Sequence, residues 1–459
     1  MTEPTETIQQ RAPQKSAPAR VPKRIAKTIL NALKGGVVPR IGLPYIAVGR
    51  KAEIDALLAD VAVIEEGGAS FRFIVGKYGS GKSFLLQTIR SHVMDRGFVV
   101  ADADLSPERR LHGTKGQGLA TYRELMQNLA TRTMPEGGAL SLILERWSDA
   151  IRLDAAQAGI TPESPGFAAK LEAFILRRVT ALAEVVHGFE FGRVLARYVL
   201  AQAGAAGADD EEVKSLVLKW FRGEFAAKQE AKAALGVNLI ATDENWYDFL
   251  KVFALFLKRA GYKGLLVLID ELVNLYKIPN SVSRQYNYEK ILTMYNDTLQ
   301  GKAHHIGIVM SGTPQCIEDR RRGVFSYEAL RSRLESGRFS REGRQDLMSP
   351  VIRLEPLTVE ELLVLIEKLA DMHRNLYGTN RTIDEKCLAE FLRVEYGRVG
   401  AGELMTPREI IRDFIEFLNI LAQHSDLTPE ALLASDEFHS APASAAGRPD
   451  DDQFVEFDI

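Results

Sequence analysis

The sequence is short of several features that would assign a protein class at once. It has two cysteines in 459 residues, Cys316 and Cys387, and neither belongs to a motif. Because two isolated thiols make no disulfide framework, we expect a reducing compartment. No apolar run approaches the roughly 20 residues of a membrane span, and the beginning of the chain carries no apolar signal-peptide core. These absences predict a cytoplasmic protein with no membrane partner.

The sequence also lacks an excess of charge of either sign. Its 58 Lys and Arg residues nearly balance its 61 Asp and Glu residues, for a formal net charge of −3. This balance does not by itself indicate a nucleic-acid-binding protein. An apolar content of 46% over this length is enough for two or three packed units.

The chain is organised around a phosphate-binding loop. The apolar run from Phe71 to Val75 predicts a buried strand, and the residues from Phe84 onward predict an amphipathic helix. Between them the sequence matches the P-loop pattern G-x-x-x-x-G-K-S/T, so backbone N–H groups would surround a phosphate. Lys82 would reach the β- and γ-phosphates of ATP, and the Ser83 hydroxyl would bind Mg²⁺. The predicted ATP-binding residues are Gly76, Lys77, Tyr78, Gly79, Ser80, Gly81, Lys82, Ser83 and Phe84.

A second strand supplies the acidic residues that such a loop needs. The five residues from Leu265 to Ile269 are apolar, which is typical of a central parallel strand, and Asp270 and Glu271 follow them. We predict that Asp270 holds Mg²⁺ through water and that Glu271 polarises the attacking water. This pair indicates an ATP hydrolase rather than a protein that only binds nucleotide.

A third apolar run, from Ile306 to Met310, leads into Ser311 and Thr313. Polar residues at the carboxyl end of a strand beside the acid strand would face the γ-phosphate. Ser311 and Thr313 are therefore candidates for the residue that orients the water. A Ser/Thr turn with no catalytic role is the alternative.

A short segment upstream of the P-loop carries the first resemblance to a known family. Val48, Gly49 and Arg50 precede a predicted helix, and this order is similar to the VGR-type box of AAA+ ATPases of the origin-recognition and STAND kind. Tyr45 and Ile46, just before the box, are predicted to wall the adenine.

Several motifs together resemble a narrower family. They are the VGR-type box, the P-loop, the LLVLIDEL strand, the VMSGTP strand and the SYEALRSRL segment. In this order, over about residues 37–424, they resemble the ATP-binding proteins of bacterial anti-phage defence systems of the BREX (BrxD-like) and Shango type. The resemblance implies an AAA+-like ATPase that works beside a superfamily-2 helicase and, in Shango, a TerB-like protein.

Arginines after the third strand are candidates for a second catalytic group. Arg331 and Arg333 are our best candidates for arginine fingers that reach a neighbouring subunit's γ-phosphate, which would require a homo-oligomer. The alternatives are a grip on a DNA backbone and a solvated basic face, because Arg320–Arg322, Arg338, Arg341 and Arg344 are also nearby. Arg408 follows Thr406 and Pro407 at a predicted helix start, which matches the second sensor of AAA+ proteins.

The predicted fold is α/β, a P-loop NTPase of AAA+ type with a parallel sheet flanked by helices, a helical insertion and a C-terminal helical lid. The predicted segments are a disordered basic arm and helix (1–36), the first part of the core (37–118), the insertion (119–240), the second part of the core (241–349), the lid (350–424) and a flexible acidic tail (425–459).

Two functions of different classes fit this sequence. The first is a motor or switch ATPase that loads or regulates a helicase partner on foreign DNA. The second is a STAND-like signalling scaffold whose nucleotide state gates assembly. A small-molecule P-loop kinase is disfavoured, because no acceptor-binding motif accompanies Glu271 and the arginine-bearing lid.

Overall fold

The computed structural model of the chain describes residues 21–207, 209–335, 337, 345–379, 382–397, 406–435 and 438. Most of the predicted arm and tail, and Arg338, Arg341 and Arg344 of the basic region, lie outside these residues. Within this part of the chain, no helix is both long and apolar enough to cross a membrane.

The described chain contains a five-stranded sheet in which all paired strands are parallel. Its strands are β1 (Ala69–Val75), β2 (Val99–Asp104), β3 (Leu265–Asp270), β4 (Ile306–Gly312) and β5 (Val351–Arg353). They lie in the order β2-β3-β4-β1-β5, so β4 separates the P-loop strand β1 from the acid strand β3. The predicted α/β class with a parallel sheet is confirmed.

Alternate residues of each strand enter two different apolar cores. In β1, Phe71, Phe73 and Val75 join a core on one face of the sheet, and Ile74 joins a core on the other face. The same alternation runs through β3, in which Val267 and Leu268 belong to opposite cores. Because both faces are covered, the strands are apolar runs rather than alternations of apolar and polar residues. This is why β1, β3 and β4 could be located from the sequence as apolar runs.

Helices cover both faces of the sheet. In chain order they are α1 (Lys23–Lys34), α2 (Leu43–Ile46), α3 (Lys51–Glu65), α4 (Lys82–Asp95), α5 (Gln117–Gln127), α6 (Leu140–Gln157), α7 (Phe167–Arg178), α8 (Gly188–Gln202), α9 (Asp210–Phe221), α10 (Lys228–Leu235), α11 (Trp246–Arg259), α12 (Val273–Tyr276), α13 (Ser281–Leu299), α14 (Pro314–Glu318), α15 (Glu328–Leu334), α16 (Val359–Tyr377), α17 (Glu385–Gly397), α18 (Pro407–Gln423) and α19 (Pro429–Leu433).

The helices between β2 and β3 share a core that is rich in aromatic rings. Phe191 of α8 meets Trp220 and Phe221 of α9 edge-on, with ring centroids 5.7 and 4.9 Å apart. Phe253 of α11 lies 6.2 Å from Phe221. Such edge-to-face pairs add about 0.5–1.5 kcal/mol each to the free energy of burial. The segment is helical, as its apolar spacing predicted, and its limits as an insertion stay a prediction.

Hydrogen bonds between a threonine and a glutamate three residues later hold two helix starts, and those at α16 are reciprocal. At α16 the backbone N–H of Glu361 donates to Thr358 Oγ1 (3.2 Å), and the Thr358 N–H donates to Glu361 Oε2 (2.9 Å). At α18 the Thr406 N–H donates to Glu409 Oε2 (3.0 Å), and Pro407 takes the first helical position. These contacts fix the first turns of both helices and thereby the place of Arg408.

The chain divides into two compact units. The sheet unit comprises Val48–Glu361 and Leu404–Glu409, and the helical unit comprises Met1–Ala47, Leu362–Glu403 and Ile410–Ile459. The sheet unit holds the P-loop, the five strands of the sheet and the first turn of α18. In the helical unit, Phe391, Phe414 and Phe417 form an aromatic cluster with centroid distances of 5.0–6.1 Å.

Candidate nucleotide-binding site

The P-loop turns from β1 into α4 with its backbone in a conformation that suits an anion. Gly79 and Gly81 have φ values of 76° and 95°, which a side chain would strain. Gly81 is the N-cap of α4 and has no side chain to cap the helix. The N–H groups of the first turn of α4 therefore meet no capping side chain, and the positive end of the helix dipole faces the loop.

Lys82 lies inside this loop. Its ammonium donates hydrogen bonds to the backbone oxygens of Gly76 (2.9 Å) and Lys77 (3.0 Å). Burial lowers the pKa of Lys82, and the charges of Asp270 and Glu271 oppose that shift. The Lys82 ammonium is thus partly shielded from water, and a phosphate can replace the two carbonyl oxygens as its hydrogen-bond partner.

Asp270, at the end of β3, accepts hydrogen bonds from residues of α4 and β4. Its Oδ2 accepts a hydrogen bond from Ser83 Oγ at 2.9 Å, and its Oδ1 accepts from the Glu271 N–H at 2.8 Å. The hydroxyl of Ser311, from β4, also donates to Oδ1. The two predicted metal ligands, Ser83 and Asp270, are therefore in direct contact, and Ser311 shares the same carboxylate.

Glu271 lies in a crowded and strained position. Its φ is 62°, a left-handed conformation that residues other than glycine rarely adopt. Burial raises the pKa of Glu271, the carboxylates of Asp270 and Asp104 raise it further, and the charges of Lys82 and Arg408 oppose the shift. A carboxylate with a raised pKa is a stronger base, which suits the predicted task.

The strand order explains which polar residues meet at the site. Because β4 lies between β1 and β3, Ser311 at its carboxyl end arrives beside Asp270, as predicted. Thr313, two residues on, accepts a hydrogen bond from the Cys316 N–H at 3.4 Å and caps α14. Thr313 is thus occupied as a helix cap in this structure, and its catalytic role stays a prediction.

Asp104 begins a polar segment that could reach a nucleotide, although the sequence assigned this residue no specific task. It pairs in register with Asp270 across β2 and β3. Its charge contributes to the raised pKa of Glu271. Its position just after an apolar run was visible in the sequence, but the pairing of β2 with β3 was not.

Arg50 of the VGR-type box is a second residue whose contacts were not foreseen. Its guanidinium donates to the backbone oxygen of Ser80 in the P-loop at 3.1 Å and to Glu53 Oε1 at 3.1 Å. The side chain is 7% exposed. Arg50 thus ties the start of α3 to the P-loop, which no local pattern could have indicated.

Arg408 also lies near the P-loop. Its guanidinium carbon is 4.8 Å from the ring centroid of Tyr78. Its charge acts on both Lys82 and Glu271, whose pKa values are shifted chiefly by burial. The structure thus brings the predicted second sensor to the site that it is predicted to serve.

The two predicted arginine fingers are engaged within their own helix. Arg331 Nη2 pairs with Glu328 Oε2 at 2.6 Å, and Arg333 Nη1 donates to the Ala329 backbone oxygen at 2.6 Å. Both contacts lie within α15, so among the described contacts neither arginine touches this chain's own P-loop. Tyr45 and Ile46 form part of α2 in the helical unit, and their contact with adenine stays a prediction.

These residues fit a nucleotide with its magnesium ion. The described part of the chain contains no group of three or more His, Cys, Asp or Glu side chains that could hold a metal. Ser83 and Asp270 are the residues that would hold Mg²⁺, with phosphate oxygens and water completing its shell. This division is usual for Mg²⁺, which keeps several waters and takes one or two protein ligands.

A comparison with protein families identifies the group to which the chain belongs. Residues 21–437 match the family model of the BREX system ATP-binding protein BrxC/D. Because the match covers most of the sequence, the chain belongs to this family, and the suspected BREX relationship is confirmed. Membership assigns the chain to phage defence as an ATP-binding protein. None of the curated proteins matches it.

Proposed function

We propose that this member of the BREX ATP-binding family hydrolyses ATP with Mg²⁺ in the manner of AAA+ proteins. One observation carries the proposal: Asp270 receives hydrogen bonds from Ser83 of the P-loop and Ser311 of β4, and Lys82 lies within electrostatic reach. These contacts support a site in which a nucleotide-binding loop, a metal acid and a polar sensor meet at one edge of the sheet.

Each residue has a distinct task in this proposal. Lys82 binds the β- and γ-phosphates once it leaves the two loop carbonyls. Ser83 and Asp270 hold Mg²⁺, which when bound neutralises developing charge on the phosphates. Glu271 accepts a hydrogen bond from the attacking water and thereby orients that water. Ser311, and Thr313 if it is released from α14, complete the polar surface around that water.

The AAA+ architecture rests on two further features. The strand β4 lies between the P-loop strand and the acid strand and ends in Ser311, which supports a role for this serine as the first sensor. The first turn of α18 brings Arg408 to the P-loop, as a lid with a second sensor requires.

Hydrolysis in this proposal takes place between subunits. Arg331 and Arg333 are bound within their own helix rather than at their own P-loop, which favours a role in a neighbouring subunit. Family membership and the resemblance stated above support a partner from the same defence system. The candidate partners are a superfamily-2 helicase and a TerB-like protein. In this proposal the protein acts on DNA in the cytoplasm.

ATP turnover measured with and without duplex DNA, beside mass measurement in ATP and ADP, tests this function. We expect Mg²⁺-dependent turnover, assembly in ATP and stimulation by DNA. Assembly in ATP with turnover that DNA leaves unchanged would instead support the signalling scaffold. Absence of turnover in the assembled state, with and without DNA, would contradict the hydrolase.

A further inference from the structure

Tyr78 occupies a variable position of the P-loop and lies at the surface of the loop. It is 52% exposed, although its ring is large and apolar. The exposed face is covered in part by the guanidinium of Arg408 at 4.8 Å from the ring centroid. An aromatic ring at this place in the loop therefore contacts a cation from α18 rather than the apolar core.

The start of α18 is held against the same loop by a separate contact. A Cβ atom on Gly79 would lie 2.6 Å from Thr406 Oγ1 and 2.7 Å from Thr406 Cβ, so only glycine leaves room for this approach. Thr406 is fixed in turn by its hydrogen bonds to Glu409. Arg408 thus lies on Tyr78 because the first turn of α18 rests on the tip of the P-loop.

The geometry of a guanidinium lets it serve two partners. Its flat face stacks on an aromatic ring, while its N–H groups lie in the plane and can donate to phosphate oxygens at the same time. A lysine in place of Arg408 would have one compact charge and no face to stack. The arginine can therefore remain on Tyr78 while its edge reaches the γ-phosphate.

We propose that Tyr78 is a positioning residue: its ring is the platform that holds Arg408 over the P-loop, ready for the γ-phosphate of ATP. The proposal rests on the function proposed above, because it takes Arg408 as the second sensor. It predicts that loss of the Tyr78 ring weakens the binding of ATP, which has a γ-phosphate, much more than the binding of ADP, which has none.

The test compares Tyr78→Leu, Tyr78→Phe, Arg408→Ala and the double variant Tyr78→Leu/Arg408→Ala in the full chain. Because an exposed cation–π contact is weak, Tyr78→Leu should lower kcat and the preference for ATP over ADP by about two- to fivefold. Tyr78→Phe keeps the ring and should recover most of both. In the Arg408→Ala background, Tyr78→Leu should add nothing further.

A matched control separates this role from a general effect on the fold. Tyr286 is a similarly exposed tyrosine outside the P-loop, at 48%, and its substitution by leucine should leave turnover unchanged. Equal losses for Tyr78→Leu with and without Arg408 would overturn the proposal, because the ring would then act on the nucleotide directly. No loss in Tyr78→Leu would overturn it as well.

Failure of the proposed function has a different signature. If Lys82→Ala loses turnover while Arg408→Ala retains it, the hydrolase stands and the platform is overturned. If Lys82→Ala hydrolyses ATP at the parent rate, hydrolysis at this P-loop is wrong and the platform is overturned with it.

Discussion

The P-loop edge of the sheet and the helix α15 use their charged side chains in different ways. At the P-loop edge, Asp270 accepts hydrogen bonds from Ser83 of α4 and Ser311 of β4, and its charge acts on Lys82. In α15, Arg331 and Arg333 are held by contacts within their own helix. The difference fits the proposal that one chain binds ATP at its own P-loop and that Arg331 and Arg333 serve the site of a second subunit.

Loss of Lys82 should affect the P-loop edge most strongly. Lys82→Ala removes the lysine that the loop presents to the β- and γ-phosphates, so we expect ATP binding and turnover to fall below detection. Calorimetric titration with ATP measures the first, and phosphate release measures the second. Lys51→Ala is a matched control, because Lys51 is exposed and pairs with Asp55. Unchanged ATP affinity in Lys82→Ala would show that nucleotide binds elsewhere.

Substitution of the α15 arginines should leave binding intact and abolish turnover. Arg331→Ala or Arg333→Ala should bind ATP normally and lose on the order of a thousandfold in kcat, as for arginine fingers in general. Mixing such a variant with Lys82→Ala should restore part of the activity, since each subunit supplies what the other lacks. Arg320→Ala is the control, because Arg320 is exposed and pairs with Glu335.

The opposite result for α15 would be equally informative. Intact hydrolysis in both single variants and in the double variant would remove the finger role. A parallel fall in DNA affinity and in its salt dependence would then favour a grip on the DNA backbone.

Glu271→Gln should separate binding from hydrolysis within the P-loop edge itself. The amide keeps the shape of the side chain but cannot polarise water, so ATP should stay bound while turnover falls about a hundredfold or more. Single-turnover measurements distinguish this loss from slow product release. Asp104→Asn is the comparison variant. A loss of the same size there, with Glu271→Gln near the parent rate, would move the base to Asp104.

The smallest expected effect lies in the helical unit, in which the predicted site residues are the adenine contacts Tyr45 and Ile46. His373 is buried, its Nε2 lies 3.1 Å from Asn419 Oδ1, and burial lowers its pKa while the hydrogen bond to Asn419 opposes the shift. The unfolded chain binds a proton at His373 more readily than the folded chain does. The neutral, buried His373 therefore stabilises the fold above the unfolded pKa of about 6.5, and this contribution is lost as pH falls below it.

Thermal unfolding between pH 7.5 and 5.5 measures this contribution. The parent should lose more stability over this range than His373→Gln, whose amide does not titrate. ATP affinity at pH 7.5 should be the same in both proteins. Equal losses of stability on acidification would contradict the assignment to His373.

The sequence allowed β1, β3, β4 and the P-loop to be located because each is a local pattern. The apolar run before Gly76 and the motif after it lie on consecutive residues, as do Asp270 and Glu271 after β3. Contacts between distant segments could not be located in this way. The hydrogen bond from Arg50 to Ser80 and the contact of Thr406 with Gly79 depend on how the chain folds back over 30 residues or more.

The backbone of Glu271 could not be foreseen for a different reason. Glutamate has no local preference for positive φ, so no propensity rule predicts it there. The conformation follows from the turn after β3, in which the Leu272 N–H donates to the Ser311 backbone oxygen at 3.1 Å. A long-range hydrogen bond thus sets the direction of the residue that we assign to water activation.

That left-handed residue has a consequence for how the protein can change over generations. Holding a glutamate at positive φ costs about 1 kcal/mol or more, which glycine would not incur. Glu271→Gly should therefore give a chain that melts at a higher temperature than Glu271→Gln and yet hydrolyses no ATP. Selection for stability alone would discard this residue, so its retention in a lineage would report selection for turnover.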